Sequence, residues 1–373
     1  MQEHNEGQEP PGKTDDVDAY LDGGSELTPE EREIARHQDA AQRSKRTAEE
    51  WRRLAIYRGS ELARLREQNE LLLAVKARRE VPHEILFSKK RGTKNPTVSG
   101  SNLSDLHADE FVDPVKVHFK NESHQNLGMV EEKLDEAFRN TVRLYKKEAV
   151  AVDIRIHLAA FLGDFFSAHI HDDLIEATEM SPLQSLEWCL PRLKAGLRYL
   201  RSEMDCPLIW VIWKYGNHPR DTKKPRIIMA SEHSYEHTLG RLLRQEMHED
   251  AGFKFTVEPS YHTYIPLDGF VVRYSHGHYI NFQGGIGGLT IPCNKAINEW
   301  NKTSWADLDV MAHWHETLDL PHLIMNSSLM GYSPFSIRVK GKLESPRGSF
   351  FLIDLERREK TGFFPIYATK AGE

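Results

Sequence analysis

Cysteine is scarce: three in 373 residues, Cys189, Cys206 and Cys293, widely spaced. An odd, scattered trio excludes a disulfide framework and a cysteine-rich zinc module, and leaves reduced thiols in the interior. No stretch approaches the ~18–20 apolar residues that cross a bilayer, so no membrane partner is expected. The opening segment MQEHNEGQEPPGKTDD is acidic and has no apolar run of the secretory kind, and the expectation is a cytoplasmic protein. The glycine-rich QGGIGGLTIP (283–292) lacks the lysine and the spacing of a phosphate-binding loop. An excess of positive charge is missing too. The net charge is −7, so the chain as a whole is not drawn to nucleic acid.

What charge there is lies unevenly. Residues 1–40 carry 12 acids and 3 bases, whereas residues 41–95 carry 15 bases and 7 acids. Residues 1–27 read as a disordered acidic tail with too little apolar content to fold. Thr28-Pro29-Glu30-Glu31 is a helix start: an N-cap, proline at the first helical position and acids in the first turn. The spacing predicts a helical arm over 28–87. Trp51, Leu65 and Leu72 share a heptad column, and Ala55, Leu62 and Asn69 nearly complete a second. A helix packed on its own domain and a coiled coil that joins copies of the chain into a homo-oligomer both fit this pattern. Residues 88–98, SKKRGTKNPTV, read as a linker, and 99–373 as one large domain.

Beyond residue 99 the texture changes. Short apolar runs such as IHLAAFLGD (156–164) and PLIWVIWKYGNH (207–218) are rich in β-branched and aromatic residues and stop abruptly in polar ones. Helix-like stretches, 131–147 and 183–203 among them, alternate with these runs, which is the α/β pattern. Open α/β sheets place their sites at the carboxyl ends of the strands. Those ends read, in order, Asp105-Leu106-His107, Gly163-Asp164, Gly216-Asn217-His218, His276-Gly277-His278 and His313-Trp314-His315. Singly, each is a weak signal. Alternate residues of a strand face opposite sides, so a pair such as Asp105 and His107 meets at one site only where the chain has left strand geometry. Together they offer two aspartates, one asparagine and several histidines, a mixed oxygen and nitrogen set suited to Mn, Fe, Zn, Ni or Co. Seven ligands exceed the needs of one catalytic ion and match two that share a carboxylate.

This order resembles the calcineurin-like metallophosphoesterase superfamily, D-x-H, G-D, G-N-H, H, then G-H-x-H, over about residues 105–330. Within it, SDLH, LGDFFSAHIHDDL, GNHPRDTKKPR and NSSLMGY look most like the DNA-repair exonuclease branch and its phage-encoded relatives. The resemblance implies a metallophosphoesterase sandwich, two packed mixed β-sheets flanked by helices, behind an N-terminal helical arm. It implies two divalent ions, manganese first: Asp105, His107 and His315 on one, Asn217, His276 and His313 on the other, Asp164 on both. His218 becomes the catalytic histidine, and His278 is left either to support the ligands from behind or to face substrate. Two positions depart from the family pattern. Pro219 stands where an acid is usual, so an acidic partner for His218 has to come from elsewhere. Ala312 replaces a glycine, adding a methyl group to the last loop.

Two ions about 3.5–4 Å apart can activate a bridging hydroxide and clamp a phosphate, and His218 can assist the leaving oxygen. Arg220, Lys223, Lys224 and Arg226 follow the G-N-H motif at once and are expected to grip flanking phosphates. The function expected is a dinuclear-metal-dependent phosphodiesterase, a DNA nuclease. A phosphomonoesterase or protein phosphatase on the same site is the alternative, against which GDFFSA lacks the arginine of the protein-phosphatase branch. A non-catalytic scaffold is the third reading.

Overall fold

The computed structural model describes residues 94–113, 115, 125–170, 172–282, 287–339 and 341–370, and before them residue 28, residues 30–42 and scattered positions as far as Gly59. The chain divides into two compact units, Met1–Ser88 and Lys89–Glu373. In the first, residues 30–42 are helical. The Thr28 hydroxyl accepts from the Glu31 backbone N–H at 3.4 Å, and the Glu31 carboxylate accepts from the Thr28 N–H at 2.7 Å, closing a capping box. Trp51 lies in helix and is exposed. The acidic tail 1–27 and the heptad positions Ala55, Leu62, Leu65, Asn69 and Leu72 lie outside the described residues.

The second unit contains two mixed sheets. Strands β1 (Pro96–Leu103), β2 (Asp153–Phe161), β3 (Leu208–Trp213) and β4 (Phe253–Val257) run parallel, and β10 (Arg347–Asp354) and β11 (Glu359–Tyr367) add antiparallel, giving the order β11-β10-β1-β2-β3-β4. The other sheet takes β5 (Thr263–Leu267), β6 (Phe270–Tyr274), β7 (Leu308–Met311), β8 (Leu318–Leu320) and β9 (Leu323–Met325) in the order β5-β6-β7-β9-β8, with β6, β7 and β9 parallel.

β1 starts at Pro96, inside the segment read as a linker. Its sequence, PTVSGSNL, is polar, yet every residue after Pro96 is buried. Hydrogen bonds replace apolar contacts there: Ser99 and Ser101 each meet one ring nitrogen of His157 on β2 at 2.9 Å, and Asn102 donates to Ser349 on β10 at 2.9 Å.

Helices cover the larger sheet. Helix α1 (Leu127–Glu148) is capped by the Asn126 side chain, and α2 (Asp172–Ala177) is only six residues long. A full Ser181/Gln184 capping box and Pro182 at the first position open α3 (Pro182–Glu203). Ser234 caps α4 (Tyr235–Glu246). Phe138, Leu134, Leu193, Leu197, Leu239 and Leu243 pack from these helices against Phe161, Val211 and Trp213 in one core. Trp213 stacks on Phe165 at 5.7 Å, and its ring N–H bonds the Glu236 carbonyl, fastening the start of α4 to the end of β3. Truncating so buried an indole costs about 3–5 kcal/mol. On the smaller sheet, Cys293 and Ile297 of α5 (Thr290–Thr303) pack with Met311, Leu323 and Met325. A last short helix, α6 (Pro334–Val339), precedes β10. No described helix is long and apolar enough to cross a membrane.

Beneath the smaller sheet's site loops, neighbouring strands β6 and β7 carry Arg273 and Asp309 in register. The buried guanidinium grips the buried carboxylate with two bonds, of 2.6 and 2.9 Å.

Candidate metal centre

Five loops form the site, each leaving the carboxyl end of a parallel strand: residues 104–107 after β1, 162–164 after β2, 214–218 after β3, 275–278 after β6 and 312–315 after β7. Asp105, His107, Asp164, His313 and His315 all have left-handed backbones, with φ between 45° and 76°. Each such residue costs on the order of 1–3 kcal/mol unless its surroundings hold it. Here they do. Asp105 N–H bonds the Gly163 carbonyl and His107 N–H the Asp164 carbonyl, while Ala312 N–H bonds the His276 carbonyl. The left-handed turns abolish strand alternation, so Asp105 and His107 reach one place. Ala312 is buried without a left-handed backbone, and its methyl group is accommodated.

Two donor clusters result. Asp105, His107 and His315 place ligand atoms within 4.8 Å of one another, and so do Asp164, His276 and His313. In the first, His315 Nε2 is 3.4 Å from Asp105 Oδ1. In the second, His276 Nε2 lies 2.9 Å from Asp164 Oδ2 and 3.2 Å from Asn217 Oδ1. His276 Nδ1 donates to the Leu162 carbonyl at 2.7 Å, which leaves the Nε2 lone pair facing two oxygens. Acceptors converging in this way need a proton or a cation between them. A divalent ion answers that need, and the Leu162 bond orients the ring as it does in metal sites generally. Buried Asp105 Oδ1 has no hydrogen-bond partner either. The donor set therefore fits divalent cations.

Charges follow from burial and neighbours. Burial alone would push His107 down, but the charge and hydrogen bond of Glu110 prevail and raise it to about 10. His276 is likewise lifted against burial, by Asp164, to about 9. Burial lowers His218 to about 4 and His313 to about 3. Despite burial, His315 holds Asp105 below the usual carboxylate range.

Three acids that the sequence did not signal support these loops. Glu110, reaching His107 Nδ1 at 3.2 Å, forms a cluster with His107 and His218; it is the acid near His218 that Pro219 does not supply. It also accepts from the Ser167 hydroxyl, which lies 2.5 Å from His107 Nδ1. Asp109 accepts from the backbone of Ser167 and Ala168. Glu236, fully buried, accepts from the N–H groups of Asp164 at 3.1 Å, Phe165 at 2.9 Å and Gly216 at 2.7 Å. One carboxylate thus ties the G-D loop to the G-N-H loop. Burial, with Asp164 next in effect, raises it to about 7. Its only sequence mark is a place in the first turn of a capped helix.

His218 donates its backbone N–H to Asp164 Oδ1 at 2.9 Å and sits edge-on to His107. Its Nδ1 has no hydrogen-bond partner, and neither has Nδ1 of His278. His278 lines a small cleft with Asn217, Pro225 and Arg226. Of the four expected phosphate-binding residues, Lys223, Lys224 and Arg226 are exposed. Arg220 instead turns inward, its guanidinium taken by the carbonyls of Asn217, Thr222 and Lys223. It braces the loop rather than projecting from it.

No family model matches the chain and no curated protein matches it by sequence. Similar solved structures include a conserved protein of Streptococcus pneumoniae described as a predicted phosphoesterase, 11% identical over 74% of this chain and 94% of that one, TM-score 0.30. Vps29 of Entamoeba histolytica, solved with zinc, is 10% identical over 72% and 99%, TM-score 0.28. A putative 5′-nucleotidase of Staphylococcus aureus is 7% identical over 74% and 56%, TM-score 0.29.

Proposed function

We propose that the chain is a dinuclear-metal phosphodiesterase acting on DNA, resembling the DNA-repair exonuclease branch and phage-encoded relatives of the calcineurin-like superfamily. The observation that carries this reading is the pair of adjoining donor clusters, Asp105/His107/His315 and Asp164/His276/His313, at the carboxyl ends of β1, β2, β6 and β7. Asn217 completes the second, and Asp164, whose surroundings include His107 and His218 as well as His276, is the shared carboxylate. When bound, two divalent cations, manganese first, supply Lewis acidity and an activated water. The protein's own groups do the rest. Glu110 and Ser167 fix the ring of His107, and Leu162 that of His276. Glu236 holds the two central loops in register. His218, whose backbone N–H bonds Asp164 and whose Nδ1 has no hydrogen-bond partner, donates a hydrogen bond to the leaving oxygen, and Lys223, Lys224 and Arg226 hold phosphates on either side. The two carboxylates offset only half the charge of two divalent ions, so the site favours an anionic diester.

The test is a substrate panel with manganese: linear DNA, single strands, bis-p-nitrophenyl phosphate and p-nitrophenyl phosphate. The expectation is turnover of the diesters and little of the monoester. Preference for p-nitrophenyl phosphate would make the chain a phosphomonoesterase. No turnover with two metals bound would make it a scaffold.

A further inference from the structure

The segment between the G-N-H motif and α4 is a closed loop on a fixed base. Arg220 holds three carbonyls at its root. The Asp221 N–H bonds the His233 carbonyl at 3.1 Å, the Asp221 carboxylate meets His233 Nδ1 at 2.8 Å, and the Tyr235 N–H bonds the Pro219 carbonyl at 3.0 Å. Residues 224–229, all exposed, lie beyond that clasp. The first limb is basic and exposed, with Lys223, Lys224 and Arg226. The tip is aliphatic and more exposed still: Ile227 at 78%, Ile228 at 91% and Met229 at 49%. Pro225 and Arg226 line the same cleft as Asn217 and His278, so the loop borders one of the expected metal ligands.

We infer that the loop is a strand-separating element: Ile227 and Ile228 insert between the bases of duplex DNA beside the scissile phosphate, while Lys223, Lys224 and Arg226 hold the backbone. The inference rests on the phosphodiesterase reading of the site. Aliphatic side chains flanked by bases are the means by which proteins unstack base steps, the wedge entering the stack and the cations holding the phosphates around it. The bonds at the base fix where the tip stands relative to Asn217. Contiguity with Asn217 and His278 identifies the occupant. What covers the tip is the molecule being cut, and its charge is opposite to that of the limb. A single strand has its bases already open, so the tip serves duplexes alone.

The experiment compares the full chain with an Ile227→Ser/Ile228→Ser double variant, both with manganese. Four substrates are used: a blunt linear duplex, the same duplex with unpaired terminal bases, a single strand and bis-p-nitrophenyl phosphate. On the blunt duplex the variant should lose at least ~10-fold in rate, because the unstacking step is no longer assisted. Unpaired ends should restore it, and the other two substrates should be cut as by the wild type. A Lys223→Ala/Lys224→Ala/Arg226→Ala variant should instead weaken both polymers alike and flatten their salt dependence. Undiminished blunt-duplex cleavage by the isoleucine variant, or equal losses on all four substrates, overturns the inference. So does phosphatidylserine-vesicle binding that the isoleucine variant loses while its duplex cleavage stays intact, for that outcome assigns the tip to a membrane. If the wild type cuts the small diester and no DNA, the substrate reading fails first, which is distinguishable from a wild type that cuts DNA with the tip idle.

Discussion

A methyl group at position 216 probes the shared carboxylate directly. A β-carbon there would stand 1.9 Å from Asp164 Oδ1, 2.5 Å from its Cγ and 2.6 Å from its backbone nitrogen, where ordinary contact begins at 3.4 Å. The shortfall at Oδ1 is therefore 1.5 Å. Gly216 does not have a left-handed backbone, so alanine meets no conformational penalty and the effect is one of contact alone. Neither side yields freely. Asp164 N–H is held by Glu236, Oδ1 by the His218 N–H and Oδ2 by His276. Overpacking of this kind costs about 1–3 kcal/mol, and a misplacement of about 1 Å at a reacting centre costs on the order of 10²-fold in rate. Gly216→Ala should accordingly melt a few degrees lower, lose about 10²-fold on bis-p-nitrophenyl phosphate, and bind fewer than two metals. Gly59→Ala is the control, since a β-carbon at Gly59 meets nothing within 4 Å. Initial rates, metal content by mass spectrometry and thermal melts decide the matter. A Gly216→Ala protein with wild-type rate and full metal content would refute the position given to Asp164.

Two further expectations concern protons and the buried ion pair. In the metal-free protein His107 stands at about 10 and His276 at about 9, above the usual histidine value of about 6.5. Their stabilisation is therefore complete below about pH 6.5 and is lost as pH rises through about 9–10, while metal binding, which must expel those protons, strengthens over the same window. Differential scanning fluorimetry should show the metal-free melting temperature falling across that range and the increment from manganese growing; a manganese increment independent of pH would sink the assignment. Arg273→Met leaves Asp309 buried and unpaired and should cost about 3–5 kcal/mol, whereas Arg273→Met/Asp309→Leu should recover most of it. Urea unfolding of both variants is the check, and equal losses would mean that the charge pair is not what matters there.

The alternation of apolar runs and helical stretches made the α/β class legible, because β2, β3, α1 and α3 bury continuous hydrophobic surface and announce themselves by composition. The residues at the strand ends were legible because donor chemistry is local: Asp105, Asp164, Asn217 and the histidines occur in short motifs. What the sequence hid is tertiary. β1 has a hydrogen-bonded interior and no hydrophobic period, so its first residues read as linker. Glu110 and Glu236 are ordinary surface residues by sequence, and only the meeting of separate loops makes Glu236 a buried acceptor and Glu110 a part-buried one. Arg220 reads as one of four phosphate-seeking bases, but the carbonyls that surround it claim its donors.

The strand order has a consequence in time. β1 lies between β2 and β10, and β10 begins at Arg347, after every metal-site residue from Asp105 to His315 has been made. At about 5–20 residues per second on the ribosome, the roughly 190 residues between β2 and β10 take on the order of 10–40 s to emerge. Through that interval one side of β1 has no partner, a condition that invites other chains to pair. The serines and the asparagine that made β1 hard to recognise suit it to the wait: a polar edge is a poor template for aggregation. The strand that carries Asp105 and His107 into place is thus also the one built to stand open longest during synthesis.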